Sequence, residues 1–178
     1  MKRTNIIIIF LFTSTLFSSE IIDYTEDKLD SIFPEAKITS YKYPIKSKLK
    51  KEIQNTVRQK FFRDKLYVWK INDNSSSYYA VLDNVKGKSM PITFLVIFND
   101  KQEVHHSLII KYREAYGGEV SSKSWLAQFL AYTKDSKYKV GENIDAISGA
   151  TISVHSVTKG IHKLSYLIND IMIYINER

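Results

Sequence analysis

Tyr78-Tyr79-Ala80-Val81-Leu82-Asp83-Asn84-Val85, a turn at Gly87, the nearly unbroken apolar run Ile92 to Phe98, a second turn at Asn99-Asp100 and the alternating stretch Glu103 to Tyr112 decide the fold. Apolar runs of this length, separated by short polar turns, indicate consecutive antiparallel strands. Toward the N-terminus, Leu66, Val68 and Ile71 precede a turn at Asn72-Asp73-Asn74-Ser75 and add a strand, and Lys37 to Tyr43 alternates well enough for one more. Between those two, Leu49, Ile53, Val57 and Phe61 recur every four residues, which marks an amphipathic helix from about Lys48 to Phe62. A short helix is expected over Thr25 to Phe33, where Thr25-Glu26-Asp27 places acids at the positive end of the helix dipole and Pro34 stops the run.

Toward the C-terminus, Ser124 to Tyr132 carries Trp125 and Phe129 on one helical face. The last helix is expected from about Ile152 to Ile175, with Val154, Val157, Ile161, Leu164, Ile168, Ile171 and Ile175 forming one stripe to pack on the sheet. Gly160 inside it costs about 1 kcal/mol relative to alanine and suits a close approach to the sheet. There is no strand–helix–strand repeat and no Gly-x-Gly-x-x-Gly. The expected class is α+β, an antiparallel sheet packed against helices that include a long C-terminal helix.

The chain has 178 residues, 44% apolar and 25% charged, which suffices for a hydrophobic core without staples. It has no cysteine, so disulfides, zinc–cysteine sites, iron–sulfur clusters, thiolate nucleophiles and lipid anchoring through cysteine are all excluded. Lys2 and Arg3, the apolar run from Ile6 and then Ser14, Ser18 and Ser19 form a secretory leader pattern, with cleavage expected near Ser18 or Ser19. The apolar stretch falls short of the ~20 residues a bilayer crossing needs. The expected organisation is a signal peptide over 1–18, a helix and strand extension over 19–77 and a functional domain over 78–178. Removing Lys2 and Arg3 lowers the net charge from +7 to +5. Lysine outnumbers arginine 21 to 5, a poor match to nucleic-acid readers, which rely on arginine for bidentate contacts.

The chemistry is concentrated in Asp145-Ala146-Ile147-Ser148-Gly149-Ala150-Thr151, just before the terminal helix. As a plain helix start, Ser148 or Thr151 would cap and Gly149 would ease the turn. That accounts for a hydroxyl but not for the block, which average residue usage would produce in fewer than about one in a thousand chains of this size. Asp145-x-x-Ser148-Gly149-Ala150-Thr151 resembles the flavinylation motif of the FMN-binding domain family, which includes the C subunit of the sodium-translocating NADH:quinone reductase and the G subunit of the Rnf complex. Arg113-Glu114-Ala115-Tyr116-Gly117-Gly118-Glu119-Val120, followed by Trp125 and Gln128-Phe129, is similar to the family's glycine-containing loop, and Ile32-Phe33-Pro34-Glu35-Ala36 resembles a segment near the start of exported members.

The resemblance implies FMN moved from FAD by an exported flavin transferase and esterified through its phosphate to Thr151. Asp145, Ser148, Gly149 and Ala150 would serve recognition or access. Tyr116, Trp125 and Phe129 would wall the ring and the Gly117-Gly118 backbone would approach it closely, with ordinary core packing as the other reading of Trp125 and Phe129. Glu114 would either contact this site or pair with Arg113 or a lysine. His105 and His106 are adjacent on a strand and point to opposite faces, and His155 and His162 have no third ligand near them in sequence, so no metal is expected.

The expected function is an exported, periplasmic flavoprotein that carries electrons between donor and acceptor proteins, with transient docking on a membrane complex. It is expected to be a carrier rather than a stand-alone enzyme. A non-redox exported binding module and a flavin subunit dedicated to one extracytoplasmic reductase are the competing expectations.

Overall fold

The computed structural model describes residues 9–178, with side chains from Glu20 onward. Residues 1–8, which hold Lys2, Arg3 and the start of the expected leader, lie outside the described residues. The chain divides into two compact units at Pro34 and Glu35.

The first unit contains α1, Ile9–Ile32. The helix expected to begin at Thr25 is therefore longer, and Thr25 is internal to it: its hydroxyl donates to the Ile21 carbonyl at 2.7 Å. Ser and Thr hydroxyls can back-bond to the carbonyl four residues earlier inside a helix as readily as they cap one. None of the described helices is long and apolar enough to cross a membrane.

The second unit holds β1 (Lys37–Pro44), α2 (Ser47–Val57), β2 (Lys65–Asp73), β3 (Ser76–Lys86), β4 (Pro91–Asn99), β5 (Val104–Lys111), the short α3 (Lys123–Leu126) and α4 (Thr151–Asn176). The five strands form one antiparallel meander in the order β1-β2-β3-β4-β5, with Val68 opposite Val81 and Val81 opposite Val96. The fold is α+β. β1, α2 and β2, from the expected N-terminal extension, share this sheet and core.

One face of the sheet presents Val68, Tyr79, Val81, Val85, Phe94, Val96 and Phe98 to a core closed by α2 and α4. α4 contributes Val154, Val157, Ile161, Leu164, Leu167, Ile168 and Ile171, all fully buried. At about 1.5–3 kcal/mol for each such side chain, this stripe is the largest single source of cohesion in the helix. Gly160 is what permits the approach. A Cβ there would lie 2.6 Å from Val85 Cγ1 and 2.8 Å from Phe94 Cζ, inside van der Waals contact.

Two expected helices are shorter than the periodicity suggested. α2 stops at Val57 because Arg58 turns left-handed, at φ 53°. Phe61 still reaches the core from the irregular segment, where its amide donates to Gln54 Oε1 at 2.8 Å. Near Ser124 to Tyr132, α3 ends at Leu126 and a single 3-10 turn covers Ala127–Phe129. The chain then leaves the helix because it pairs with the start of β5: the Ala131 amide donates to the Val104 carbonyl at 2.8 Å and the Val104 amide to the Tyr132 carbonyl at 2.9 Å.

A charged pair lies within this core. Lys163 on α4 is 0% exposed and Asp83 on β3 is 2% exposed, with Nζ 2.8 Å from Oδ2. The short separation makes the contact ionic, although neither carboxylate oxygen gains a well-directed hydrogen bond. Lys163 Nζ also donates to the Lys60 carbonyl at 3.2 Å and sits 4.3 Å from the Phe61 ring centroid, so it ties α4 to the segment after α2.

Gly160→Ala improves helix propensity by about 1 kcal/mol, yet is expected to lower stability by roughly 1–2 kcal/mol net, because overpacking a filled interface costs more; the urea midpoint measures this. Lys163→Met alone strands a buried carboxylate and is expected to cost roughly 3–5 kcal/mol, whereas adding Asp83→Leu should recover most of that loss in a double-mutant cycle.

Candidate functional site

The segment Asp145–Thr151 is positioned from its first residue. The Trp125 indole N–H donates to the Asp145 carbonyl at 2.9 Å, and Gln128 Oε1 accepts from the Asp145 amide at 2.8 Å. Gln128 is itself fixed by donating through Nε2 to the Trp125 carbonyl at 3.0 Å. Trp125 is 5% exposed and meets Phe129 edge-on at 5.3 Å, so its indole packs in the core while its one polar atom shapes the motif. Gln128 carries a role that residue type alone did not signal.

At the end of the motif the Ala150 amide donates to the Ile147 carbonyl at 3.1 Å, and Gly149 takes φ 77°. A Cβ on Gly149 would meet nothing within 4 Å, so glycine is required here by backbone conformation rather than by space, and the approach to this turn is open. Ala150 is buried, and Thr151 follows as the first residue of α4, exposed to solvent together with Asp145 and Ser148. No side chain caps α4 at this end, and its first turn holds no acidic residue. Neither hydroxyl acts as the expected cap. The uncapped amides and the positive dipole end suit a phosphate group.

The loop after β5 is brought to the same place. Gly117, at φ 81°, packs so closely on the motif that a Cβ would lie 2.8 Å from Ala150 Cβ and 2.9 Å from Tyr112 Oη. The Tyr112 hydroxyl donates to the Tyr116 carbonyl at 2.6 Å and stands 3.0 Å from Ser153 Oγ, which is thereby the donor of that pair. Tyr112, absent from the sequence-based candidates, thus joins the loop to the first turn of α4. Gly118 opens a 3-10 turn over Gly118–Ser121 and has free space around it, and Tyr116 is 84% exposed.

Glu114 faces the β3–β4 turn. Its Oε1 accepts from the Ser89 amide at 2.8 Å and the Met90 amide at 3.0 Å, and Gly87 lies so close that a Cβ would overlap that oxygen. The Met90 and Ser89 amides hold the Glu114 carboxyl below the usual carboxylate range. Arg113 braces the same hairpin by donating from Nη1 to the Pro91 carbonyl at 3.0 Å and Thr93 Oγ1 at 3.2 Å. Burial lowers its guanidinium pKa.

Behind the site, His162 stacks on Tyr138 at 4.1 Å and its Nε2 lies 3.0 Å from the Lys134 carbonyl; burial pushes its pKa down against that bond. His155 is exposed on the first turns of α4. His105 and His106 lie away on β5, their ring centroids 6.0 Å apart. No group of histidines and carboxylates among the described residues is arranged to hold a metal ion.

Beside α4 lies a hollow of about 380 Å³ whose walls include Arg58, Lys60 and Phe62 from the segment after α2, Lys86 at the end of β3, and His155 and Lys159 from α4. No acidic residue lines it.

Fold and site define an α+β domain that presents an open threonine hydroxyl at an uncapped helix start, with the loop after β5 packed on the segment before it. Residues 87–165 match the family model of the FMN-binding domain, from the glycine clamped by Glu114 to the middle of α4. That match identifies this segment as an FMN-binding domain. No curated protein matches the chain.

The Glu114 clamp has a pH signature. With the folded-state carboxyl held low, its contribution is complete above the ordinary carboxylate range and is lost as pH falls through the lower folded value. Protection of the Ser89 and Met90 amides against hydrogen exchange is expected to persist at neutral pH, to fall only in that acid window, and to be absent at neutral pH in Glu114→Ala.

Proposed function

We propose that this protein is an exported electron carrier in which FMN is joined through its phosphate to the Thr151 hydroxyl. The observation that carries the reading is Thr151 itself. It is an exposed hydroxyl at the uncapped start of a long helix, it closes Asp145-x-x-Ser148-Gly149-Ala150-Thr151, and it lies within the segment assigned to the FMN-binding domain family. The backbone amides of the first turn of α4 and the dipole behind them would hold the phosphate. The open turn at Gly149 would admit a transferase, and Asp145 and Ser148, both exposed, would be read by it. When bound, FMN supplies one- or two-electron redox chemistry, and the protein supplies tether, position and electrostatics.

A covalent bond suits a carrier that works outside the cytoplasm, where a loosely held flavin would be lost to dilution. On this reading the leader is removed near Ser18 or Ser19, the working compartment is the periplasm, and the partners are an exported flavin transferase and redox proteins that give and take electrons. Tyr112, Trp125, Gln128 and Glu114 are positioning residues that fix the loops around Thr151.

Intact mass under denaturing conditions tests this. Protein exported alongside an active flavin transferase is expected to gain the mass of FMN less water, to lose that increment in Thr151→Ala, and to keep it in Thr56→Ala, a threonine on α2. An unmodified wild-type mass in the presence of active transferase would overturn the proposal.

A further inference from the structure

We infer that the outer face of α2, with the adjoining ends of β1 and β2, is a docking surface for the anionic headgroups of a phospholipid membrane. The distribution of charge carries this. Residues 42–65 hold seven lysines and two arginines against Glu52 and Asp64, a balance of +7. The whole chain is also +7, so the rest of the protein is neutral. Its entire excess of positive charge lies on β1's end, α2 and β2's start.

The fold gathers these residues together. α2 turns Ile53 and Val57 into the core, while Lys48 and Lys51, three residues apart, are exposed on the other side of the helix. The start of α2 lies against the entry to β2: the Ile45 amide donates to the Asp64 carbonyl at 2.9 Å, and Lys50 Nζ pairs with Asp64 Oδ1 at 2.6 Å. Across the β1–β2 ladder Lys42 stands opposite Tyr67 and Pro44 opposite Lys65, and Lys42, Arg63 and Lys65 share a hollow of about 360 Å³. The 11 residues of α2 span about 16 Å, within two Debye lengths at physiological salt, so the cations act together on a charged surface.

Little of this charge is neutralised within the domain. Asp64 is taken by Lys50, and Asp170 on α4 by Lys46 at 2.9 Å. Lys48, Lys51, Arg63 and Lys65 are exposed and form no ion pair among the described residues.

Residue type separates a membrane from a protein partner. Protein interfaces are depleted of lysine and enriched in arginine and aromatic residues, because the guanidinium fork pairs with carboxylates and a hydrated ammonium does not. A bilayer surface presents diffuse negative charge and asks only for point charges near it, each of which strengthens adsorption roughly fivefold. The apolar side of α2 is committed to the core, so the helix adsorbs by charge and does not insert. This inference is independent of the Thr151 linkage.

The test is flotation of the purified protein with vesicles of phosphatidylglycerol mixed with phosphatidylcholine, and with vesicles of phosphatidylcholine alone. Binding is expected on the anionic vesicles only, at low ionic strength, and is expected to disappear in molar salt. Joint replacement of Lys48, Lys51, Arg63 and Lys65 by glutamine is expected to weaken that binding by at least about tenfold and to leave the urea midpoint in place. A control with Lys101, Lys111, Lys123 and Lys137 replaced by glutamine loses the same charge from exposed positions elsewhere and is expected to float much as the wild type does. Equal flotation with neutral vesicles, or equal weakening in the two variants, would overturn the inference. So would absence from the anionic vesicles at low salt; retention on immobilised polyglutamate in that case would mark the face as a site for an acidic protein instead.

Discussion

The contact on which the molecule depends is the one between α4 and the sheet at Gly160. A methyl group there would run into Val85 and Phe94, so the helix can sit at this height only with glycine. That height lets the stripe from Val154 to Ile171 reach full burial. One turn further along, Lys163 reaches Asp83 on β3 and the Lys60 carbonyl, so the same helix also holds the segment that follows α2. A buried ion pair is weak evidence for stability, since desolvation offsets its attraction. Here its consequence is positional, because it fixes the wall of the basic hollow.

Around Thr151 the loops are held mostly by side chains that bond to backbone. Trp125 and Gln128 take the two backbone groups of Asp145, Tyr112 takes the Tyr116 carbonyl, and Glu114 takes the Ser89 and Met90 amides. Such bonds fix where a loop runs without specifying the side chains it displays. Asp145, Ser148 and Thr151 therefore remain exposed, Asp145 held by its backbone alone, a distribution that suits residues read by another protein. The free energy in this region goes into the frame, and the groups available for chemistry lie on top of it.

The strands were legible because their signal is local: alternating or continuous apolar residues between polar turns define them without reference to the rest of the chain. α4 was legible for the same reason, over more than six turns of unbroken periodicity. The apolar repeat through Phe61 and the span from Ser124 to Tyr132 misled because a residue can enter the core from a loop as well as from a helix. Phe61 does so through the bond to Gln54, and the chain after Phe129 is diverted by pairing with Val104. Both are contacts between residues whose proximity is set by the folded chain.

The sequence by itself determined the α+β class, the strand and long-helix pattern, and the motif ending in Thr151, since composition, periodicity and a contiguous block of residues are all written along the chain. Only the tertiary structure decided that Gly117 packs on Ala150, that Glu114 faces the β3–β4 turn rather than Arg113 or a lysine, and that Arg58, Lys86 and Lys159 face one hollow. These residues come from segments far apart in sequence. Their meeting depends on how closely one helix lies on one sheet, a distance that no local pattern encodes.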